Sequence, residues 1–257
     1  MIYLDCTSYK LSLGCDKKSG KNNEEETALS IGSLTVAPRK SLVGHVEDEL
    51  RSALIEGRLE PGTRLVTKEL ADTLGMSITP VREALVRFAA SGVLTAEPAQ
   101  SFRVPVMSAD RYSEIAEIRK AVEGLAAAKA AVRITAGEIE EMERLLTRYM
   151  AAKAAGDPHA ALKINKEFRF VLYAAAGMPT LLGVIETLWL KTGPGFNYLY
   201  PEARRAVNEH HNYDDLLAAL RSRSPEGARA AIERAIEDGA KRVLEAIALR
   251  RGSSNAA

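Results

Sequence analysis

Ser77, Thr79 and Arg82 bring two hydroxyls and a guanidinium into six consecutive residues, and Lys68 adds an ammonium nine residues earlier. Thr79 and Arg82 are three apart, a spacing that places both on one face of a helix. Such side chains suit flat polar edges and phosphates. A guanidinium can meet guanine O6 and N7 together through its fork of donors, and a serine hydroxyl can donate to a phosphate oxygen. Catalysis has no comparable signature in the sequence, which shows no Ser-His-Asp arrangement, phosphate loop, carboxylate pair or metal cluster. Cys6 and Cys15 have no nearby histidine or second cysteine pair to complete a metal site, and two thiols in 257 residues suggest a reducing compartment.

The elements that must hold these residues can be read on either side of them. From Ser41 onward Leu42, Val43, Val46, Leu50 and Leu54 recur at helical spacing, with Gly57 as a C-cap. After the turn Pro61-Gly62 a second helix is predicted over about 67–74, broken at Gly75-Met76-Ser77. A third spans about 78–90, with Val81, Leu85 and Phe88 on its buried face. Pro80 falls in its first turn, where a missing N–H does no harm, and Ser77 either caps it or contacts phosphate. The stretches 93–97 and 102–106, joined by Pro98-Ala99-Gln100-Ser101, read as a β-hairpin. Three helices and a hairpin make a winged helix-turn-helix, whose third helix presents its N-terminal end to the major groove.

Beyond Ser108 five or six long helical patterns follow, separated by Thr135, Gly156-Asp157-Pro158, Gly177-Met178-Pro179, Gly193-Pro194-Gly195, Pro201 and Ser224-Pro225. Nothing there reads as a strand. The expected fold is mainly α: a disordered extension over 1–37, a winged helix-turn-helix over 38–107, a helical bundle over 108–250 and a disordered tail over 251–257. Aromatic residues are only 5%, so the core must rest on aliphatic side chains. Net charge is +1, and residues 39–107 hold nine basic and nine acidic side chains, so attraction to phosphate must come from where charges sit. No segment approaches the ~18 apolar residues of a membrane span. The opening twenty residues lack the basic start and apolar core of a signal peptide, so the expected location is cytoplasmic.

The run Leu59-Glu60-Pro61-Gly62-Thr63-Arg64-Leu65, then Glu69-Leu70-Ala71, Leu74-Gly75-Met76-Ser77 and Thr79-Pro80-Val81-Arg82-Glu83-Ala84-Leu85, strongly resembles the GntR family of bacterial transcription regulators. The resemblance implies that Lys68, Ser77, Thr79 and Arg82 face DNA and that the wing tip, at Gln100, enters the minor groove. It departs from the family at Ile78, where an arginine is usual, and at Gln100-Ser101, where an Arg-Gly pair is common.

The second half resembles the helical FCD domain of the FadR group within that family, on Ile118 to Leu125 with Ala127, Phe168 to Tyr173 before Gly177, and Leu216 to Leu220. Many members of that group bind a divalent metal through an Asp and three His. The matching positions here are Asn165, Arg169, Tyr213 and Ala235, so the resemblance implies a lost metal site and no cofactor. His210 and His211 keep a metal alternative open. A guanidinium at Arg169 can hold a carboxylate directly, with Asn165 one turn before it, Tyr213 on a facing helix and Arg119 as a further inward-facing position. The expected partners are an operator in double-stranded DNA, a small anionic effector and a second copy of the chain. The alternative for Arg169 is an internal ion pair with Glu123.

Overall fold

The computed structural model describes residues 41–99, 101–199 and 212–254. The expected extension over 1–37, Gln100, and His210 and His211 lie outside the described residues.

Helix α1 (Leu42–Ile55) starts at Ser41, whose hydroxyl accepts from the Gly44 amide at 3.0 Å. It buries Val46, Leu50, Leu54 and Ile55. Strand β1 (Arg64–Val66) follows, then α2 (Thr67–Leu74) and α3 (Ile78–Ala90). Gly75 ends α2 at φ 63°, the left-handed conformation in which a side chain would be strained, and so sets the turn between the two helices. Strands β2 (Thr95–Glu97) and β3 (Ser101–Arg103) form the expected hairpin. The sheet has a third strand that the sequence pattern did not show: β1 pairs antiparallel with β3, giving the order β1-β3-β2 with Leu65 and Ala96 flanking Phe102. A three-residue strand is too short for alternation to reveal, and only its pairing partner, 37 residues away, makes it a strand.

The bundle opens with α4 (Ala109–Ala131), capped by Ser108. Helix α5 (Ala136–Ala155) begins with a capping box in which Thr135 and Glu138 satisfy each other's backbone amides. Helix α6 (Pro158–Ala175) is capped by Asp157, with Pro158 in its first turn. Helix α7 (Pro179–Thr192) runs into a 3-10 segment over Gly193–Leu199, and α8 (Asn212–Arg221) and α9 (Pro225–Ser254) complete the order. The breakers at Thr135, Gly156, Gly177 and Ser224 stand where helices meet. Helix α9 continues to Ser254, so 251–254 are helical where a disordered tail was expected. Helix α4 packs most extensively on α9, and α5 packs on α6. Ala126, Ala127, Ala130 and Ala131 are fully buried on α4, so small side chains allow close approach there.

Helix α1 also touches the bundle. Gly193 lies against the Leu54 carbonyl, the His159 ring bonds the Glu56 carbonyl at 3.0 Å, and Arg51 pairs with Glu186 at 3.6 Å.

Candidate nucleic-acid interface and buried charge cluster

Helix α3 turns Val81, Ala84, Leu85 and Phe88 into the core and leaves Ser77, Thr79 and Arg82 exposed at its N-terminal end. Ser77 is the N-cap residue by backbone position, yet its hydroxyl makes no capping bond. Arg82 and Lys68 are exposed and pair with no acid among the described residues. Glu83, next to Arg82, is taken by Arg87, which also donates to Glu47 at 3.0 Å. The N-terminal end of α3 therefore exposes one guanidinium and two hydroxyls, and the N-terminal end of α2 one ammonium, with neither charge paired to a described acid. Ile78, where the family favours arginine, is 45% exposed. In the wing, Arg103 grips both carboxylate oxygens of Glu97 and donates to the Gly62 carbonyl, while Arg64 reaches Ser101. Arg64 and Arg103 are thus engaged within the protein, and among the described cations of residues 41–107 it is Lys68 on α2 and Arg82 on α3 that pair with no acid.

The four residues singled out in the bundle come together. Arg169 and Asn165 lie on α6, Tyr213 on α8 and Arg119 on α4. Tyr213 donates to the Asn165 side-chain carbonyl and accepts from Arg169 Nε at 2.7 Å. At the centre stands Glu123, with no exposed surface at all. Arg119 Nε meets its Oε1 at 2.6 Å, Arg169 Nη1 meets its Oε2 at 3.2 Å, and Tyr173 donates to the same Oε2. Trp189 Nε1 donates to Oε1 at 3.2 Å, and Arg119 Nη1 reaches Thr192 Oγ1 at 3.5 Å. The Arg119 guanidinium also lies 5.0 Å from the Trp189 ring centre, a cation–π contact. The internal ion pair with Glu123 is therefore present, with two arginines rather than one.

The charges in this cluster support one another. Burial by itself would raise the Glu123 pKa, but Arg119 and Arg169, with the hydrogen bonds of Arg119 and Tyr173, hold it below the usual carboxylate range. Burial disfavours the charged form of Arg169, yet the oxygens of Tyr213, Tyr173 and Glu123 raise its pKa well above the ordinary value. Burial and the Glu123 charge push the Tyr173 phenol well up, and burial pushes the Tyr112 phenol up to about 12, so both stay protonated. Two cations then face one carboxylate.

Not every donor is used. Arg169 Nη2 and the Asn165 side-chain nitrogen bond to no described residue, and the two side chains stand one helical turn apart on α6. Among the described residues no fully buried side-chain nitrogen or oxygen lacks a partner, so these two atoms keep some access. Among the described residues no three His, Cys, Asp or Glu side chains gather as a metal site would require. The four positions of the family's metal set supply here an amide, a guanidinium, a phenol and the methyl of Ala235. A fixed guanidinium repels a divalent cation, so this donor set does not suit one. Sequence reasoning did not place Tyr173, Trp189 or Thr192 in the site. Tyr173 follows Arg169 by four residues, and that spacing was its one signal.

A helix-turn-helix with an open polar face, a short wing and a helical bundle with a polar core have the architecture of a DNA-binding transcription regulator with a separate helical domain. The chain belongs to the GntR family: residues 42–104 match the bacterial regulatory proteins of the gntR family, and residues 114–238 match the FCD domain, which binds effectors. The HTH-type transcriptional regulator McbR of Escherichia coli K12 is 42% identical over 191 residues, spanning 74% of this chain and 86% of that protein. The solved structure of E. coli McbR/YncC superposes with a TM-score of 0.75 at 38% identity, covering 80% of this chain and 98% of that one. The HTH-type transcriptional repressor RspR of E. coli K12 is 24% identical over 202 residues, 77% of this chain and 85% of its own length. The DNA-binding, winged and mainly helical character read from the sequence agrees with these matches. Among the described residues no helix is long and apolar enough to cross a membrane.

Proposed function

We propose that the chain is a homodimeric repressor whose operator affinity is set by a small organic anion, held without metal on α6. The observation that carries this reading is the pair of unused donors at Arg169 Nη2 and the Asn165 amide, beside a buried cluster with more guanidinium than carboxylate. A carboxylate placed there would receive two hydrogen bonds, one of them charge-assisted. Arg119 and Tyr213 position the cluster, the first through Glu123 and the second by bridging Arg169 and Asn165. On the DNA side Ser77, Thr79 and Arg82 would read base edges and phosphates, Lys68 would neutralise phosphate, and Gln100 would meet the minor groove. Two copies would set one α3 in each half-site of a two-fold operator. Repression is proposed by analogy with RspR, whose name describes a repressor.

The test is operator binding by the full chain, with and without a panel of small carboxylic acids. At least one acid is expected to change affinity, by about 5- to 150-fold if coupling is of ordinary size. Arg169→Ala should abolish that change while DNA binding persists. An unchanged response in the variant would sink the anion site.

A further inference from the structure

The charge count of the buried cluster constrains what the site accepts. Among the described residues its ionised groups are Arg119, Arg169 and Glu123, with 5%, 4% and 0% of their surface exposed. Tyr112 and Tyr173 border it as neutral phenols. The sum is one uncompensated positive charge, in surroundings where charge is costly to leave unpaired. Glu123 has no room for a further cation, because its two oxygens already accept from Arg119, Arg169, Tyr173 and Trp189. Among the described residues, the guanidinium and amide nitrogens of the cluster that bond to no residue are Arg169 Nη2 and the Asn165 amide.

We infer that Glu123 sets the charge class of the effector, making the site selective for monoanions over dianions. This rests on the anion reading above and adds its stoichiometry. A monocarboxylate brings the buried charge to zero. A dianion leaves an excess negative charge beside the fixed Glu123 carboxylate, which its own partners hold in the ionised form. Without Glu123 the two guanidiniums would carry two positive charges, and a dicarboxylate would then match them. Arg119 spends its hydrogen bonds on Glu123 and Thr192, so its part is to supply charge and hold Glu123 in place rather than to touch ligand.

The experiment compares acids of matched skeleton, hexanoate with adipate and benzoate with phthalate, by calorimetric titration of the full chain at constant ionic strength. Wild type is expected to bind the monocarboxylate of a pair about tenfold or more tightly than its dicarboxylate. Glu123→Gln should erase or invert that ratio. Arg119→Met, which leaves the free donors on α6 in place, should weaken monocarboxylate binding by about tenfold or more, and it serves as the test if Glu123→Gln does not fold. A wild-type preference for dicarboxylates, an unchanged ratio in folded Glu123→Gln, or full monocarboxylate affinity in Arg119→Met would each overturn the assignment of charge selectivity. Binding of neither member of any pair to wild type would instead refute the anion reading itself, and this inference with it.

Discussion

Gly193 presses its α-carbon against the backbone of Leu54: a β-carbon on Gly193 would lie 2.6 Å from the Leu54 carbonyl oxygen and 2.9 Å from the Ile55 α-carbon. Leu54 and Ile55 end the first helix of the DNA-binding half. One residue before Gly193, Thr192 accepts from Arg119, and one turn earlier Trp189 donates to Glu123. The last turn of α7 thus touches the buried cluster and α1 within five residues. A shift of the cluster that moved Trp189 or Thr192 would be felt at α1, since close-packed contacts transmit displacement rather than absorb it.

Gly193→Ala tests this contact. A real β-carbon never sits 2.6 Å from a carbonyl oxygen, so α1 or α7 must move. Overpacking of this kind costs about 1–3 kcal/mol, and the urea midpoint should fall accordingly. Operator affinity of the effector-free protein should change as well. Wild-type values for both would show that the contact neither stabilises the chain nor sets the position of α1.

Arg82 and Lys68 should differ in kind. Arg82→Ala is expected to lower affinity for the operator by roughly 10- to 100-fold and leave binding to scrambled DNA little changed. Lys68→Ala should weaken both alike and reduce the slope of log affinity against log salt by about one. Neither should alter the thermal midpoint, because both side chains are exposed and pair with no described acid. Fluorescence anisotropy at two salt concentrations separates the two patterns.

Removing one partner from the buried cluster should be expensive. Arg169→Ala leaves Glu123 paired with Arg119 alone and deprives its Oε2 and the Tyr213 hydroxyl of a donor, and leaving buried polar groups short of a partner typically costs about 1–3 kcal/mol. Chemical denaturation measures it. A loss below about 1 kcal/mol would mean that water or a rearranged Arg119 replaces the guanidinium.

The acid limb of stability follows from Glu123. Its folded pKa lies below the usual carboxylate value, so the folded state holds its proton less readily than the unfolded chain. Its stabilising contribution is complete above the ordinary carboxylate pKa and is lost as pH falls through the depressed folded value. Stability of the wild type, followed from neutral pH downward, should therefore drop more steeply in that acid range than stability of Glu123→Gln. Parallel curves would assign acid sensitivity to other carboxylates.

Periodicity and capping chemistry alone determined most of the helices. Ser41, Thr135 and Asp157 announce starts, Gly75 announces a stop, and the recurrence of Val81, Leu85 and Phe88 decides which side of α3 is buried, leaving Thr79 and Arg82 outside. These are local rules acting within a few residues, and so they survive in one dimension. Strand β1 was invisible because its existence depends on Phe102 lying opposite Leu65 across the chain. Tertiary structure also decided the fate of the charges. Arg82 and Arg119 look alike in sequence, but one stays solvent-exposed and unpaired because Glu83 turns to Arg87, while the other is buried on a carboxylate that Arg169 shares from 46 residues away. Which acid neutralises which cation depends on distances between helices, and burial then sets the strength of each pairing, a quantity that no spacing along the chain contains.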